Sequence, residues 1–175
     1  QDRNFDYASF GIDSKGRPNR ISYAAYGGQW DLTYNADGSL AGIKDSDDKT
    51  TAYQYDAAGR ITQVNYPAGF GSFRKQYDAN GNLLWMESPL SHRTSFTYSE
   101  NNRLLTRTFE PMGAVTTFAY DEFDRISGVT DPLGGKREMT YDAAGNLLTF
   151  KDPDGVITSF AYDEQNRLSA VTKAS

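Results

Sequence analysis

The sequence has no cysteine, a single histidine and no group of metal-ligand residues at a recognised spacing. Without cysteine it cannot build a disulfide framework or a thiolate metal site. A Ser-His-Asp triad would require His92, and no nucleophile-elbow motif accompanies that residue. Asp45, Asp47 and Asp48 lack the glycine and the terminal glutamate of a calcium loop, so we interpret them as a solvated turn. The sequence therefore predicts a protein that is not an enzyme and that holds no cofactor or metal.

Long apolar runs and basic clusters are also missing. No apolar run approaches the roughly 20 residues that a membrane-spanning helix needs, and the mean hydropathy is -0.67. The net charge is -5, and no cluster of Lys or Arg would attract nucleic-acid phosphates. The first residues, Gln1–Tyr7, have neither the charged region nor the apolar region of a signal peptide. We therefore expect no membrane span and no nucleic-acid partner, and we interpret the sequence as a piece of a longer protein.

Aromatic residues are abundant instead. They make up 14% of the chain, with 12 Tyr and 10 Phe, although only 38% of the residues are hydrophobic. Disordered chains are poor in aromatic residues, whereas Tyr, Phe and Thr are enriched in β-strands. Composition alone therefore favours an all-β protein.

One six-residue phrase recurs along the chain. It is YDAAGR at Tyr55–Arg60 and YDAAGN at Tyr141–Asn146, and altered copies follow one another at intervals of 21 or 22 residues. The eight copies begin at Ile12, Tyr34, Tyr55, Tyr77, Tyr98, Tyr120, Tyr141 and Tyr162. Such regular self-similarity indicates a repeat architecture. We therefore interpret residues 1–175 as a single repeat array whose core positions are the seven repeat tyrosines.

The fourth residue after each starting position is always Gly, Asn or Asp, the residue types that tolerate a left-handed backbone. These residues are Gly16, Gly38, Gly59, Gly81, Asn102, Asp124, Gly145 and Asn166. An aspartate at the first turn position adds an acceptor for the backbone two residues further on. Each copy therefore predicts a β-hairpin turn, here called the YD turn, such as Asp56–Gly59.

A second kind of turn, here called the linker turn, lies between consecutive copies. Proline at its second position and glycine at its fourth match the requirements of a β-turn. The predicted linker turns are Tyr66–Gly69, Glu110–Gly113, Asp131–Gly134 and Asp152–Gly155, with Asp45–Asp48 and Ser88–Ser91 as weaker versions. The alternating turns leave about six residues for each strand.

Apolar and polar side chains alternate along each predicted strand, so one face is expected to be buried. The residues two before the repeat tyrosines are mostly apolar, and those between are polar or small. Beyond the YD turn, the residues six and nine places after the tyrosine are apolar, as Ile61 and Val64 are after Tyr55, with Arg107 as the exception. This odd spacing predicts a bulge that returns both side chains to one face. The copy that begins at Tyr98 has one extra residue, and we expect a register slip there.

Asp56 is expected to pair with Arg60 across the YD turn, and we interpret this recurring pair as structural rather than catalytic. Up to sixteen short strands would then form an all-β antiparallel meander of hairpins. Strongly twisted open sheets rarely exceed about ten strands without curling, so we expect a curved or spiralling sheet. Its apolar face needs a cover, which the sheet itself, a neighbouring module or a second copy would supply.

The units of this array, such as Asp131–Val171, resemble the YD repeats of the Rhs family. Related repeats occur in wall-associated bacterial toxins, insecticidal toxin complexes and teneurins. The resemblance implies a fragment of a β-sheet shell that encloses or scaffolds a toxic domain of a secreted or cell-surface protein. The implied partners are the enclosed domain and other repeats of the same protein. The family's self-cleaving aspartyl segment has no counterpart here.

A binding module is the alternative. Exposed aromatic residues stack on the apolar faces of sugars, and Trp30 and Trp85 are the first candidates for glycan binding. Unpaired strand edges could instead bind a partner protein or a second copy of the chain, by edge-to-edge association.

Overall fold

A computed structural model describes residues 8–23 and 27–174, and residues 1–7, 24–26 and 175, including the opening segment discussed above, lie outside the described residues. The strands are β1 (Ala8–Ile12), β2 (Pro18–Tyr23), β3 (Gly28–Tyr34), β4 (Leu40–Asp45), β5 (Thr50–Tyr55), β6 (Ile61–Asn65), β7 (Ser72–Tyr77), β8 (Leu83–Glu87), β9 (Arg93–Tyr98), β10 (Leu104–Phe109), β11 (Ala114–Tyr120), β12 (Ile126–Thr130), β13 (Lys136–Tyr141), β14 (Leu147–Lys151), β15 (Ile157–Tyr162) and β16 (Leu168–Lys173). A three-residue 3-10 helix, Glu110–Met112, follows β10. In the described part of the chain, no helix is long and apolar enough to cross a membrane.

The order of the strands in the sheet is their order in the chain, from β1 to β16. The predicted all-β antiparallel meander is therefore confirmed. The chain divides into two compact units, one of residues 1–76 with 86–91 and one of residues 77–85 with 92–175. The same hairpin geometry recurs within each unit.

The YD turns owe their shape to the left-handed residue at their fourth position. All eight of these residues have positive φ, from 76° at Gly59 to 94° at Gly38 for glycine and from 59° at Asn166 to 65° at Asp124 for the others. In the copy that begins at Tyr55, the Gly59 N–H donates to the Asp56 carbonyl and the Asp56 N–H donates to the Arg60 carbonyl, both at 3.0 Å. The chain thus reverses in four residues and enters the next strand directly.

In six of the eight copies the first turn residue is an aspartate, and its carboxylate accepts the backbone N–H of the residue four places further on. Oδ1 of Asp56 accepts the N–H groups of Ala58 and Arg60 at 2.9 and 3.0 Å, and Oδ2 accepts Nε of Arg60 at 2.7 Å. The backbone N–H of Arg60 is the largest cause that keeps the pKa of Asp56 below its ordinary 3.8. The Arg60 guanidinium and the Ala58 N–H lower the pKa further, whereas desolvation of the carboxylate raises it. The same carboxylate–guanidinium pair occurs at Asp13/Arg17, Asp121/Arg125 and Asp163/Arg167.

A bulge follows the YD turn, as predicted, in at least seven of the eight copies. Tyr55 pairs with Ile61 and Gln54 with Gln63, so Thr62 is the extra residue. Val64 then lies opposite Tyr53, which returns it to the face of Tyr55. Equivalent register shifts occur in the pairs β1–β2, β3–β4, β9–β10, β11–β12, β13–β14 and β15–β16.

The register slip predicted for the copy that begins at Tyr98 is wrong. Leu104 pairs with Tyr98 and Arg107 with Phe96, the offsets found in the other hairpins. The extra residue is taken up beyond this point, because the pairing of β10 with β11 continues to Phe109 and Ala114 and leaves a four-residue loop. A loop adjusts at less cost than a register in which every side chain has an assigned face.

One linker turn is also displaced from its predicted position. The turn hydrogen bond joins the Phe70 N–H to the Pro67 carbonyl at 3.0 Å, so the turn spans Pro67–Phe70 rather than Tyr66–Gly69. Gly69 then occupies the third position with φ of 92°, as a type II turn requires. The loop between β6 and β7 has one residue more than those after β12 and β14, and the turn shifts to absorb it.

The two faces of the strands differ in burial as the alternation predicts. Residues two before the repeat tyrosines are half-buried, and those immediately before them are exposed. The residues at the tyrosine, two before it and six and nine after it are here called the Tyr face. Among the described residues, no hydrophobic side chain is fully buried.

Gly145→Ala is expected to destabilise the chain by about 1–2 kcal/mol, the cost of a left-handed alanine. A Cβ at Gly145, where φ is 92°, would meet no atom within 4 Å, so backbone strain is the only penalty. Urea unfolding measures the change. The control Ala144→Gly, at the preceding position of the same turn, should have a smaller effect, and equal losses would contradict the left-handed requirement.

Stability is expected to fall as the pH drops below about 4. A carboxylate whose pKa is lower in the folded state stabilises the fold above its unfolded pKa, and this contribution is lost as the pH falls through the folded value. Asp56→Asn removes one such group, so the difference in urea midpoint between the chain and this variant should shrink from pH 6 to pH 2.5. A constant difference would contradict the assignment.

Candidate functional site: the junction between repeats

A hydrogen bond from the repeat tyrosine joins its hairpin to the preceding one in at least six of the seven cases. The hydroxyl donates to the backbone carbonyl six residues after the start of the preceding copy. The bonds are Tyr34 to Pro18 at 2.6 Å, Tyr55 to Leu40 at 2.9 Å, Tyr98 to Leu83 at 3.1 Å, Tyr120 to Leu104 at 2.9 Å, Tyr141 to Ile126 at 2.8 Å and Tyr162 to Leu147 at 3.1 Å.

The bulge explains why this carbonyl accepts a side-chain donor. In the second hairpin of the series, Tyr34 pairs with Leu40 and Thr33 with Gly42, which interrupts the ladder next to Leu40. A bulge disrupts the regular pattern of backbone bonds, and an unpaired buried carbonyl costs about 1–3 kcal/mol. The Tyr55 hydroxyl supplies a donor at that point.

Cations reinforce three of these junctions. The guanidinium five residues after one copy's start lies over the tyrosine ring of the next copy. Arg17 is 4.1 Å from the centroid of Tyr34, and Arg125 is 4.7 Å from that of Tyr141. Arg103 lies 5.5 Å from the Tyr120 ring. Cation–π contacts at exposed sites contribute about 0.5–1 kcal/mol.

The YD turns of successive copies are also linked side by side. Asn82 Nδ2 donates to Asn102 Oδ1 at 2.7 Å, and Asn146 Nδ2 donates to Asn166 Oδ1 at 2.9 Å. Arg103 Nη1 pairs with Asp124 Oδ1 at 2.7 Å. The acceptors are the three residues that replace glycine at the left-handed position. A side chain there strains the backbone, and the bond to the preceding turn offsets that strain.

The tyrosine hydroxyl is the part of the junction that the sequence analysis missed. We interpreted the repeat tyrosines as apolar residues of a buried face. The available signal was the contrast between two positions on the same face of the strand. Seven copies have tyrosine at the starting position, whereas the residue two before it is Leu, Tyr, Lys, Phe or Met. A position that requires only an apolar ring would also accept phenylalanine.

The two tryptophans occupy different positions relative to the repeat. Trp30 lies four residues before Tyr34, on the Tyr face, and its ring makes an edge contact with Tyr23 at 5.2 Å. Trp85 lies eight residues after Tyr77, a position that faces away from the Tyr face in the other copies, and Arg93 covers its ring at 4.2 Å. The repeat register therefore does not place them on one binding surface. Glycan binding at either residue stays a prediction.

His92 and the described acidic residues are considered next. The exposed His92 ring lies edge-on to Phe109 at 6.0 Å. Within the described residues, no group of three or more His, Asp or Glu side chains could hold a metal ion. Asp45 Oδ1 accepts the N–H groups of Asp47 and Lys49, both at 2.9 Å, so it caps its linker turn.

Tyr55→Phe is expected to destabilise the chain by about 0.5–1.5 kcal/mol, the usual net contribution of one hydrogen bond. The control is Tyr53→Phe, which removes a hydroxyl from the same face of β5 but outside the junction. Urea unfolding of both variants measures the difference. Equal losses would show that the hydroxyl bond to Leu40 does not stabilise the array.

Comparisons with known proteins place the fold. A family model described as RHS Repeat matches residues 34–70, 105–136 and 141–175, which is more than half of the chain. No curated protein matches the chain.

Among solved structures, the crystal structure of TcdB2-TccC3 is similar over 96% of this chain and 10% of that one, with 19% identity and a TM-score of 0.75. The crystal structure of the same complex without its hypervariable C-terminal region is similar over 95% of this chain and 10% of that one, with 19% identity and a TM-score of 0.74. The Tc holotoxin pore of Photorhabdus luminescens, with a TccC3 mutation, is similar over 95% and 11%, with 17% identity and a TM-score of 0.53.

These likenesses concern the fold, and the chain spans about a tenth of the length of the structures it matches. The family model is the stronger finding, because its matched segments include five of the seven repeat tyrosines and the complete YD turn that follows each of those five. From the model match, the repeat spacing and the hairpin geometry together, we conclude that this chain belongs to the RHS repeat family.

Proposed function

We propose that the chain is a noncatalytic wall module of a larger secreted or surface-displayed toxin-type protein, and that residues 1–175 act as one repeat array. In this role the sheet curves around a toxic domain of the same protein and encloses or scaffolds it. The partners are that domain and further repeats.

The incomplete burial of the Tyr face is the observation that carries this proposal. A sheet with one apolar face must bury that face against another element. In this chain the Tyr-face residues are at best half-buried, and no described hydrophobic side chain is fully buried. The residues immediately before the repeat tyrosines, on the opposite face, are polar or small and exposed. A polypeptide lying on the Tyr face would complete the missing layer.

The similarity to toxin-complex structures supports the same role. The matched structures are those of TcdB2-TccC3 and of a Tc holotoxin pore. One of them is described as lacking a hypervariable C-terminal region, which is the kind of segment that a shell could enclose. We extend this arrangement to the present chain as part of the proposal.

The chemistry of the carboxylates fits a structural role. Asp56, Asp121 and Asp163 each accept two backbone N–H groups and an arginine Nε. These interactions keep the pKa of each carboxyl below its ordinary value. A general acid needs the opposite, a raised pKa near the working pH.

Methionine oxidation tests whether the Tyr face is covered. Met139 lies on the Tyr face, whereas Met112 is 78% exposed at a linker turn. In the parent protein that contains this segment, we expect peroxide to oxidise Met139 severalfold more slowly than in the isolated chain, because access controls the reaction. Peptide mass spectrometry over a time course measures both rates.

Met112 is the internal control, and its rate should change less than that of Met139. Unfolded samples should oxidise both residues at similar rates. An unchanged Met139 rate in the parent protein, or equal slowing at both residues, would contradict the proposal that the Tyr face is the covered side of the wall.

A further inference from the structure

The loop between β6 and β7 exposes two aromatic rings. Tyr66 is 41% exposed and Phe70 is 66% exposed. None of the other five predicted linker turns contains a Tyr, Phe or Trp residue. Both rings lie outside the Tyr face, where the chain passes from one strand to the next. Packing of the sheet wall therefore does not account for them.

Backbone contacts fix the position of this loop. The Tyr66 N–H donates to the Gly71 carbonyl at 3.1 Å, and the Phe70 N–H donates to the Pro67 carbonyl. A Cβ at Gly71 would lie 2.8 Å from the carbonyl oxygen of Pro89, so the loop packs directly on the Ser88–Ser91 turn. This close approach needs glycine. The two rings are thus presented by a loop that is held against its neighbour.

Two adjoining pockets share the Tyr66 and Phe70 rings as walls. The first pocket has a volume of about 510 Å³ and is also lined by Pro67, Pro89 and Lys49. The second has a volume of about 300 Å³ and extends to Asp48 and Thr50. All of these residues belong to the first compact unit. Mostly apolar walls with a few polar groups at one end are typical of ligand sites.

The spacing of the two pockets follows from the order of the strands. The first pocket reaches the Ser88–Ser91 turn and the second reaches the Asp45–Asp48 turn, which flank the β6–β7 loop. Successive linker turns are two strands apart, or roughly 10 Å at about 4.8 Å per strand. A polyproline II helix has three residues per turn and rises about 3.1 Å per residue. Prolines three places apart therefore lie on one side of that helix at about the spacing of the pockets.

We infer that these pockets bind a proline-rich segment in the polyproline II conformation, with one proline in each pocket. Proline-rich segments dock in aromatic-lined grooves because their conformation is preformed and their rings are apolar. Their backbone carbonyls have no internal hydrogen bonds. The Tyr66 hydroxyl and the Lys49 ammonium group belong to pocket-lining residues and can donate to those carbonyls.

Charge at one end of the site adds a basic residue to the segment. The Asp45–Asp48 turn carries three carboxylates, and Lys44 and Lys49 flank it. Lys49 Nζ lies 3.3 Å from Asp47, and Lys44 Nζ lies 2.7 Å from Asp48. Exposed ion pairs of this kind contribute little to stability, so an incoming guanidinium can join them. The excess carboxylate favours an arginine next to the proline that enters the second pocket.

The capped peptide APPAPPAR is the probe, and AGGAGGAR is its proline-free control. In an NMR titration of the labelled chain, we expect APPAPPAR to shift the signals of Lys49, Thr50 and residues 66–71, and AGGAGGAR to leave them unchanged. Phe70→Ala should weaken binding about tenfold, as expected for an aromatic contact residue. Phe123→Ala is the matched control, because Phe123 is also 66% exposed but lies in a YD turn.

A second pair of variants tests the charge. Asp47→Lys should weaken binding of APPAPPAR, whereas Asp154→Lys makes the same change in net charge at another linker turn and should not. The two positions are equivalent, since each backbone N–H donates to the aspartate two residues before it. Equal effects of these two variants would contradict the basic residue in the segment.

Three results would overturn the inference: no shift at millimolar peptide, equal binding of the two peptides, or equal effects of Phe70→Ala and Phe123→Ala. A fourth is concentration-dependent association of the chain that excludes the peptide and is lost in Phe70→Ala, which would assign the loop to a second copy. The site uses no Tyr-face residue, so its failure would leave the expected Met139 protection unaffected.

Discussion

The bond from the tyrosine hydroxyl to the bulge carbonyl is the interaction on which the array depends. It joins residues 15 or 16 positions apart in sequence and lies between hairpins rather than within one. A single hairpin in water is marginally stable, and repeat proteins gain stability from the interfaces between neighbouring units. Each bond contributes only about 0.5–1.5 kcal/mol. Its repetition at six or more junctions links successive hairpins.

Several local features converge to create that bond. The left-handed residue closes the YD turn. The strand that follows the turn then has one residue more than its partner strand can pair with. The resulting bulge returns Ile61 and Val64 to the face of Tyr55 and interrupts the ladder beside Ile61. The turn, the bulge and the tyrosine thus act together, and they recur every 21 or 22 residues.

The three copies without a turn glycine show how neighbouring repeats compensate one another. Asn102, Asp124 and Asn166 adopt a backbone conformation that favours glycine. Each accepts a bond from the side chain that follows the left-handed residue of the preceding turn. The loss of glycine in one turn is therefore compensated by a side chain about 20 residues away in sequence. Compensation of this kind keeps the turns aligned while the phrase itself varies.

Much of this molecule follows from short-range rules that apply to the sequence alone. Glycine, asparagine or aspartate four residues after the tyrosine determines the turn because few residues tolerate positive φ, and the spacing of Ile61 and Val64 determines the bulge because strand faces alternate. Other features required the tertiary structure. The Tyr55 hydroxyl meets the Leu40 carbonyl, and Asn82 meets Asn102, because pairing brings separate copies side by side. The register at Tyr98 was decided in the same way, since the faces of the strands held the pairing and the loop after Phe109 absorbed the extra residue. Local propensity acts over a few residues, whereas these contacts exist only once neighbouring hairpins have paired.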